Sequence, residues 1–244
     1  MTGAAAGVEN AAPPGDVALR LVEVVKEFRT GGTPVRAVDR LSLEVPRGQF
    51  LALVGRSGSG KSTLLHLVAG LEPPSAGEIW LDGVELGRLS DDRRTRLRRE
   101  RIGMIYQFFN LLPTLTVAEN VALPALLAGE SEARARARAE PLLAEVELLE
   151  RRDARPHTLS GGEMQRAAIA RALVFGPALV MADEPTGNLD SRAADQVLAL
   201  LRGLAQRHEA TVLLVTHSRE AADRADRVVE LRDGRVVADR SGAA

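Results

Sequence analysis

The chain has 244 residues, of which 45% are hydrophobic and 27% charged, and its formal net charge is −1. That length accommodates one large domain, or a domain with an inserted subdomain, around a substantial core, and the charge balance offers no global field for nucleic acid or an anionic membrane. The lack of cysteine excludes disulfides and thiolate metal sites; His66, His157, His208 and His217 are scattered, and no apolar run is long enough to span a bilayer.

Residues 1–16 are small, polar and proline-bearing, without the basic end and apolar centre of a signal peptide, and are expected to form a disordered tail. Ala18–Phe28 and Val38–Val45 flank a Gly31-Gly32-Thr33-Pro34 turn and read as an antiparallel pair. The apolar run Gln49–Val54 reads as a buried strand. A helix over Ser62–Ala69, a strand over Glu78–Leu81 and a turn at Asp82-Gly83 follow. The segment 88–101 is dense in arginine, and Ile102–Gln107 then reads as a strand.

From Val117 to about Arg171 the pattern is mostly helical, so residues 108–174 are expected to form a helical subdomain inserted between strands, with a helix starting or kinking at Pro141. Arg134, Arg136 and Arg138 have no interleaved aromatics and read as a solvated face. Next come a strand over Ala178–Asp183 and an amphipathic helix over Ser191–His208 with Val197, Leu200, Leu201 and Leu204 on its apolar face. A strand over Thr211–Thr216, a short helix over Arg219–Ala225 and a hairpin about Asp233-Gly234 complete the order. Strands alternating with helices imply a mainly parallel sheet covered on both faces.

Gly55-Arg56-Ser57-Gly58-Ser59-Gly60-Lys61-Ser62 fits G-x-x-x-x-G-K-S/T between a predicted strand and a predicted helix, the setting of a phosphate-binding loop. Its glycines let the backbone wrap phosphates, Lys61 supplies a point charge, and the Ser62 hydroxyl suits Mg²⁺. Lysine occurs only at Lys26 and Lys61 in an arginine-rich chain, which makes Lys61 informative. Asp183-Glu184 ends an apolar strand: Asp183 is placed to hold Mg²⁺ and Glu184 to orient and polarise an attacking water. His217 follows another strand and faces the same mouth, within reach of a γ-phosphate. Gln107 also ends a strand, where its amide senses either Mg²⁺ or the attacking water. Phe28 either stacks on adenine or belongs to the core. Ser160-Gly161-Gly162 opens a second helix and is a second candidate anion site.

Together these residues resemble the ATP-binding-cassette (ABC) ATPases over about residues 17–239, with Leu159-Ser160-Gly161-Gly162-Glu163 matching the family's signature. The resemblance implies an α/β P-loop NTPase with a mostly parallel ABC-type core, an N-terminal antiparallel β subdomain and the inserted helical subdomain, residues 17–240 forming one domain. It implies ATP and Mg²⁺ as cofactors. Gly55–Thr63, Phe28 and Asp190 would hold nucleotide, together with Ser160, Gly161, Gly162 and Glu163 of a partner cassette. Ser62, Gln107 and Asp183 would attend the metal, and Lys61, Gln107, Glu184 and His217 would act in catalysis. Two copies, or one copy and a paralogue, are expected to sandwich ATP.

Tyr106–Pro124 and Gly187-Asn188-Leu189-Asp190 look like the subgroup of macrolide-exporter, lipoprotein-release and cell-division ATPases. Implied are a separate integral-membrane permease, a cytoplasmic position on the inner face of the membrane, and no nucleic-acid partner. Regulation of a cell-division or cell-wall hydrolase complex is the alternative. Phe108, Phe109, Leu111 and Leu112 are either a groove for a permease helix or subdomain core. Arg56, Met164 and Phe28 depart from residues common in the family at those positions, and none removes a group the chemistry requires. No N-K-x-D element supports a GTPase.

Overall fold

The computed structural model describes residues 16–30 and 33–242. Residues 1–15 of the expected 1–16 tail, and Gly31 and Gly32 of the expected turn, lie outside them. β1 (Val17–Thr30) and β2 (Thr33–Pro46) pair antiparallel, and β1 pairs on its other edge with β4 (Ala76–Leu81), which carries the short β5 (Val84–Glu85). A second sheet has the order β10-β9-β3-β8-β7-β6, built from β3 (Phe50–Val54), β6 (Ile102–Tyr106), β7 (Leu179–Asp183), β8 (Thr211–Val215), β9 (Arg227–Arg232) and β10 (Arg235–Ser241). Its pairings are parallel except β9 with β10, which close as a hairpin at Asp233-Gly234, both in the left-handed region that a tight two-residue turn requires.

The period of two in the central strands divides two cores. Phe50, Ala52, Val180, Ala182, Val212 and Leu214 point into one; Leu51, Leu53, Leu179, Met181, Leu213 and Val215 point into the other. Strands apolar on both faces belong in the middle of a layered fold, since a parallel sheet needs cover on each side. One face is covered by α1 (Lys61–Val68) and the antiparallel sheet. The other is covered by α3 (Val117–Leu127), α4 (Glu132–Glu145), α5 (Gly161–Leu173), α6 (Ser191–Arg207) and α7 (Arg219–Ala222). The arginine-dense stretch is the polar helix α2 (Asp91–Arg101), capped by Ser90.

The expectation of a helix start at Pro141 is corrected: α4 begins at Glu132 and runs through it. Proline removes the bond to the carbonyl four residues earlier. Here Pro141 and Ala137 are both solvent-exposed, so water can serve that carbonyl while buried Ala135, Ala139, Leu142 and Leu143 hold the helix down. Arg134, Arg136 and Arg138 are exposed as expected, Arg136 pairing with Glu140 and Arg138 with Glu130.

Candidate active site

The parallel strands end at one edge, and a cleft of about 470 Å³ opens there. It is lined by the loop between β3 and α1 together with Gln107, Asp183, Glu184, Val215 and His217. The loop's shape rests on glycine at two places. A Cβ on Gly55 would strike the Leu231 carbonyl, and one on Gly60 (φ 101°) would strike the Ala37 carbonyl. Gly60 caps α1 without a side-chain bond, so the first-turn N–H groups of α1 are left for an anion. The Lys61 ammonium donates to the Gly55 carbonyl (2.7 Å) and the Arg56 carbonyl (3.1 Å), which holds its charge over the loop. Ser57, Gly58, Ser62 and Thr63 line the same cleft, whereas Ser59 is buried and turned to a neighbouring depression against β9.

Glu184 is fixed from several sides. Its backbone takes the left-handed conformation (φ 47°), and its N–H donates to the Val215 carbonyl. The Thr216 hydroxyl donates to Glu184 Oε2 (3.2 Å) and accepts from the Ser218 N–H (3.0 Å). His217 Nδ1 lies 2.7 Å from Glu184 Oε1. With Glu184 ionised, Nδ1–H donates and Nε2 remains for a further partner. Asp183, one residue earlier, is half-buried. Burial, and next the repulsion of Glu184, raise its pKa above the ordinary carboxylate value, against the pull of His66 and Lys61.

Gln107 meets Asn188 across the cleft's rim. Its Nε2 lies 3.4 Å from Asn188 Oδ1, and Asn188 Nδ2 donates to the Gln107 carbonyl (2.9 Å). Among the described residues no cluster of three or more His, Cys, Asp or Glu side chains is poised for a metal. A hydroxyl, an amide and one carboxylate are nonetheless hard oxygen donors, and they fit a Mg²⁺ that keeps waters and takes phosphate oxygens as ligands.

The other expected residues lie elsewhere. Ser160 caps α5 in a reciprocal box: its hydroxyl accepts from the Glu163 N–H, and Glu163 Oε2 accepts from the Ser160 N–H (2.8 Å) and hydroxyl (2.9 Å). Those bonds, the backbone one first, hold the Glu163 pKa below its usual value. Gly161 and Gly162 stand on the open first turn, with Leu189 and Phe109 packed where a Gly161 side chain would be. Neither these residues nor Asp190, which caps α6 through Ala193 N–H, line the cleft of their own chain. Phe28 is also outside the lining. It pairs with Val35, two residues along β2 from lining Ala37, and is 37% exposed with the Lys26 ammonium 5.1 Å from its ring centre. That exposure overturns the core reading of Phe28. Beyond Gln107, Phe108 and Leu112 are exposed while Leu111 packs on the core. Thr216 had no sequence signal of its own, and Asn188 stood in the family-like Gly187–Asp190 stretch without a role; contact with Glu184 and Gln107 gives each one.

A glycine-walled anion loop with a lysine, an acidic pair at the next strand end and a histidine beyond define a nucleotide phosphohydrolase of the P-loop class. The ABC transporter family profile matches residues 38–187, and the chain belongs to that family. It is an ABC-type ATPase whose cofactors are ATP and Mg²⁺. Among its relatives, the lipoprotein-releasing system ATP-binding protein LolD 1 of Rhodospirillum rubrum is 48% identical, over 91% of this chain and 98% of its own length. The macrolide export ATP-binding/permease protein MacB of Brucella melitensis is 44% identical over 91% of this chain, and the match spans only 34% of that longer protein. The ATP-binding cassette MJ0796, solved as a dimer in a post-hydrolysis state bound to ADP and Pi, superposes with a TM-score of 0.82 at 37% identity, covering 91% of this chain and 98% of that one. Among the described residues no helix is long and apolar enough to cross a membrane.

Proposed function

We propose that this chain is the ATP-hydrolysing subunit of a membrane export or mechanotransmission complex and works as a head-to-tail dimer. The observation that carries the proposal is the position of the Ser160-Gly161-Gly162 turn: it has the chemistry of a phosphate site yet stands outside the cleft its own chain builds. A second copy supplies that turn, so ATP bound on Gly55–Thr63 of one subunit meets the N–H groups of Gly161 and Gly162 of the other. Phe28 stacks on the adenine at the rim, and Asp190 approaches across the same junction. The dimeric state of the related MJ0796 cassette supports this arrangement.

Within each cleft Glu184 is the general base. Its carboxylate orients and polarises the attacking water, Thr216 and His217 hold it in place, and Nε2 of His217 is directed at the γ-phosphate. Lys61 anchors the β- and γ-phosphates. Mg²⁺, when bound, neutralises phosphate charge, with Ser62, Asp183 and Gln107 as its protein contacts. Closure drives a permease on a separate polypeptide because ATP binds the closed state better than the open one. Exposed Phe108 and Leu112 are the contact for that permease, which holds the subunit at the inner face of the membrane. The export and lipoprotein-release roles in the relatives' names support this class of work.

The test uses Glu184→Gln. Hydrolysis falls about 10²- to 10⁴-fold, the range for loss of a general base, while ATP binding persists. The variant then elutes as a dimer in Mg-ATP and as a monomer without nucleotide. A monomer under saturating Mg-ATP would overturn the sandwich.

A further inference from the structure

We propose that Asn188 is a positioning residue that sets the polarity of the Gln107 amide. Hydrogen-bond bookkeeping alone fixes the order. The Gln107 main-chain carbonyl can only accept, so Asn188 must present Nδ2 to it, as it does at 2.9 Å. Asn188 Oδ1 is thereby committed to accepting, and Gln107 must present Nε2 to it, at 3.4 Å. The Gln107 Oε1 is then the amide atom left for the cleft that Gln107 lines. An oxygen is what Mg²⁺ or its bound water takes from an amide; the reversed amide would offer N–H groups that repel a cation. Two residues 81 apart in the chain thus convert a backbone carbonyl into the correct face of a side chain.

Gly187 supplies an independent observation. A Cβ there would stand 2.8 Å from Gln107 Nε2 and 3.1 Å from its Cδ, so the glycine makes room for the amide in this position. Gly187 is absent from the positive-φ glycines, so alanine strains the contact and not the backbone.

The inference rests on assigning Gln107 to the metal side of the cleft, and the test separates the two. Binding of a non-hydrolysable ATP analogue is measured in EDTA and again in saturating Mg²⁺, at a protein concentration where gel filtration shows monomer. The ratio of the two affinities is the magnesium gain. Asn188→Ala and Gly187→Ala are expected to reduce that gain about tenfold, the low end for losing an outer partner of a metal contact because Asn188 is solvent-exposed, with affinity in EDTA unchanged. Gln107→Ala is expected to reduce it equally, and a double Gln107→Ala/Asn188→Ala variant no further. If Gln107→Ala loses the gain while Asn188→Ala and Gly187→Ala keep it, the positioning role is overturned and the Gln107 assignment stands. If Gln107→Ala itself keeps the full gain, both are overturned.

Discussion

Two helix N-termini in this molecule carry glycines at their start, and they are built in opposite ways. α1 starts from Gly60 with no side-chain cap, its loop wedged so tightly against Ala37 and Leu231 carbonyls that Gly60 and Gly55 admit no side chain. α5 starts from Ser160, whose capping box with Glu163 already satisfies two backbone N–H groups and places a carboxylate within the first turn. The first leaves its N–H groups bare, has Lys61 held over its loop, and lines the cleft. The second has fewer donors to offer, has no lysine and lies outside that cleft. Local chemistry shared by two helix starts thus does not give them one role. A bare cap leaves its N–H groups to a ligand in its own chain, and a self-capped terminus keeps its shape without one, as the proposed trans role requires.

Replacing Ser160 with arginine strikes the second turn at its cap and at its approach. Hydrolysis is expected to fall about 10²- to 10³-fold, as on loss of transition-state donors, while nucleotide affinity of the monomer is kept. Steady-state turnover alongside equilibrium binding checks this, and full turnover would break the contrast. Lys61→Ala strikes the first turn. Nucleotide affinity is expected to drop about 10- to 100-fold, the worth of a charge-assisted contact. Fluorescent-nucleotide titration reads it, and unchanged affinity would mean the cradle is misassigned.

Thr216→Val removes the hydroxyl on Glu184 but keeps the shape. Turnover is expected to fall about fivefold with KM unchanged, Thr216→Ser restoring most of it, because one net hydrogen bond of about 1 kcal/mol positions the base.

Asp183→Asn gives the smallest effect on the fold. A carboxyl whose pKa is raised by folding holds its proton in the native state where the unfolded chain has lost it. Stability therefore falls as pH rises from the ordinary Asp value through the raised one. Neutral asparagine escapes that loss. In EDTA above this window the variant is expected to melt slightly higher than the parent, and below it the two curves converge. A lower melting temperature at neutral pH would show that the carboxylate is instead stabilised where it stands.

The cleft-side residues were legible because each rides on a contiguous motif. Gly55–Ser62 lies between an apolar strand and a helix, and Asp183-Glu184 and His217 each end an apolar run that must be a buried strand. Parallel pairing then brings those strand ends to one edge. A helix start at Pro141 was wrong because helix periodicity carries no information about which carbonyls water can reach. The contacts of Thr216 and Asn188 were invisible because their partners lie 32 and 81 residues away.

From the chain alone came the strands, the glycine-rich loop, the acidic pair and the helix opening at Ser160-Gly161-Gly162, since these depend on neighbours within a few residues and on the alternation of apolar side chains. Tertiary structure alone decided that Ser160-Gly161-Gly162 stands outside the cleft, that Phe28 is at the surface, and that Gln107 and Glu184 are oriented by Asn188 and Thr216. Those outcomes depend on hydrogen-bond partners and packing distances between segments remote in the chain, and such distances exist only once the sheet has assembled.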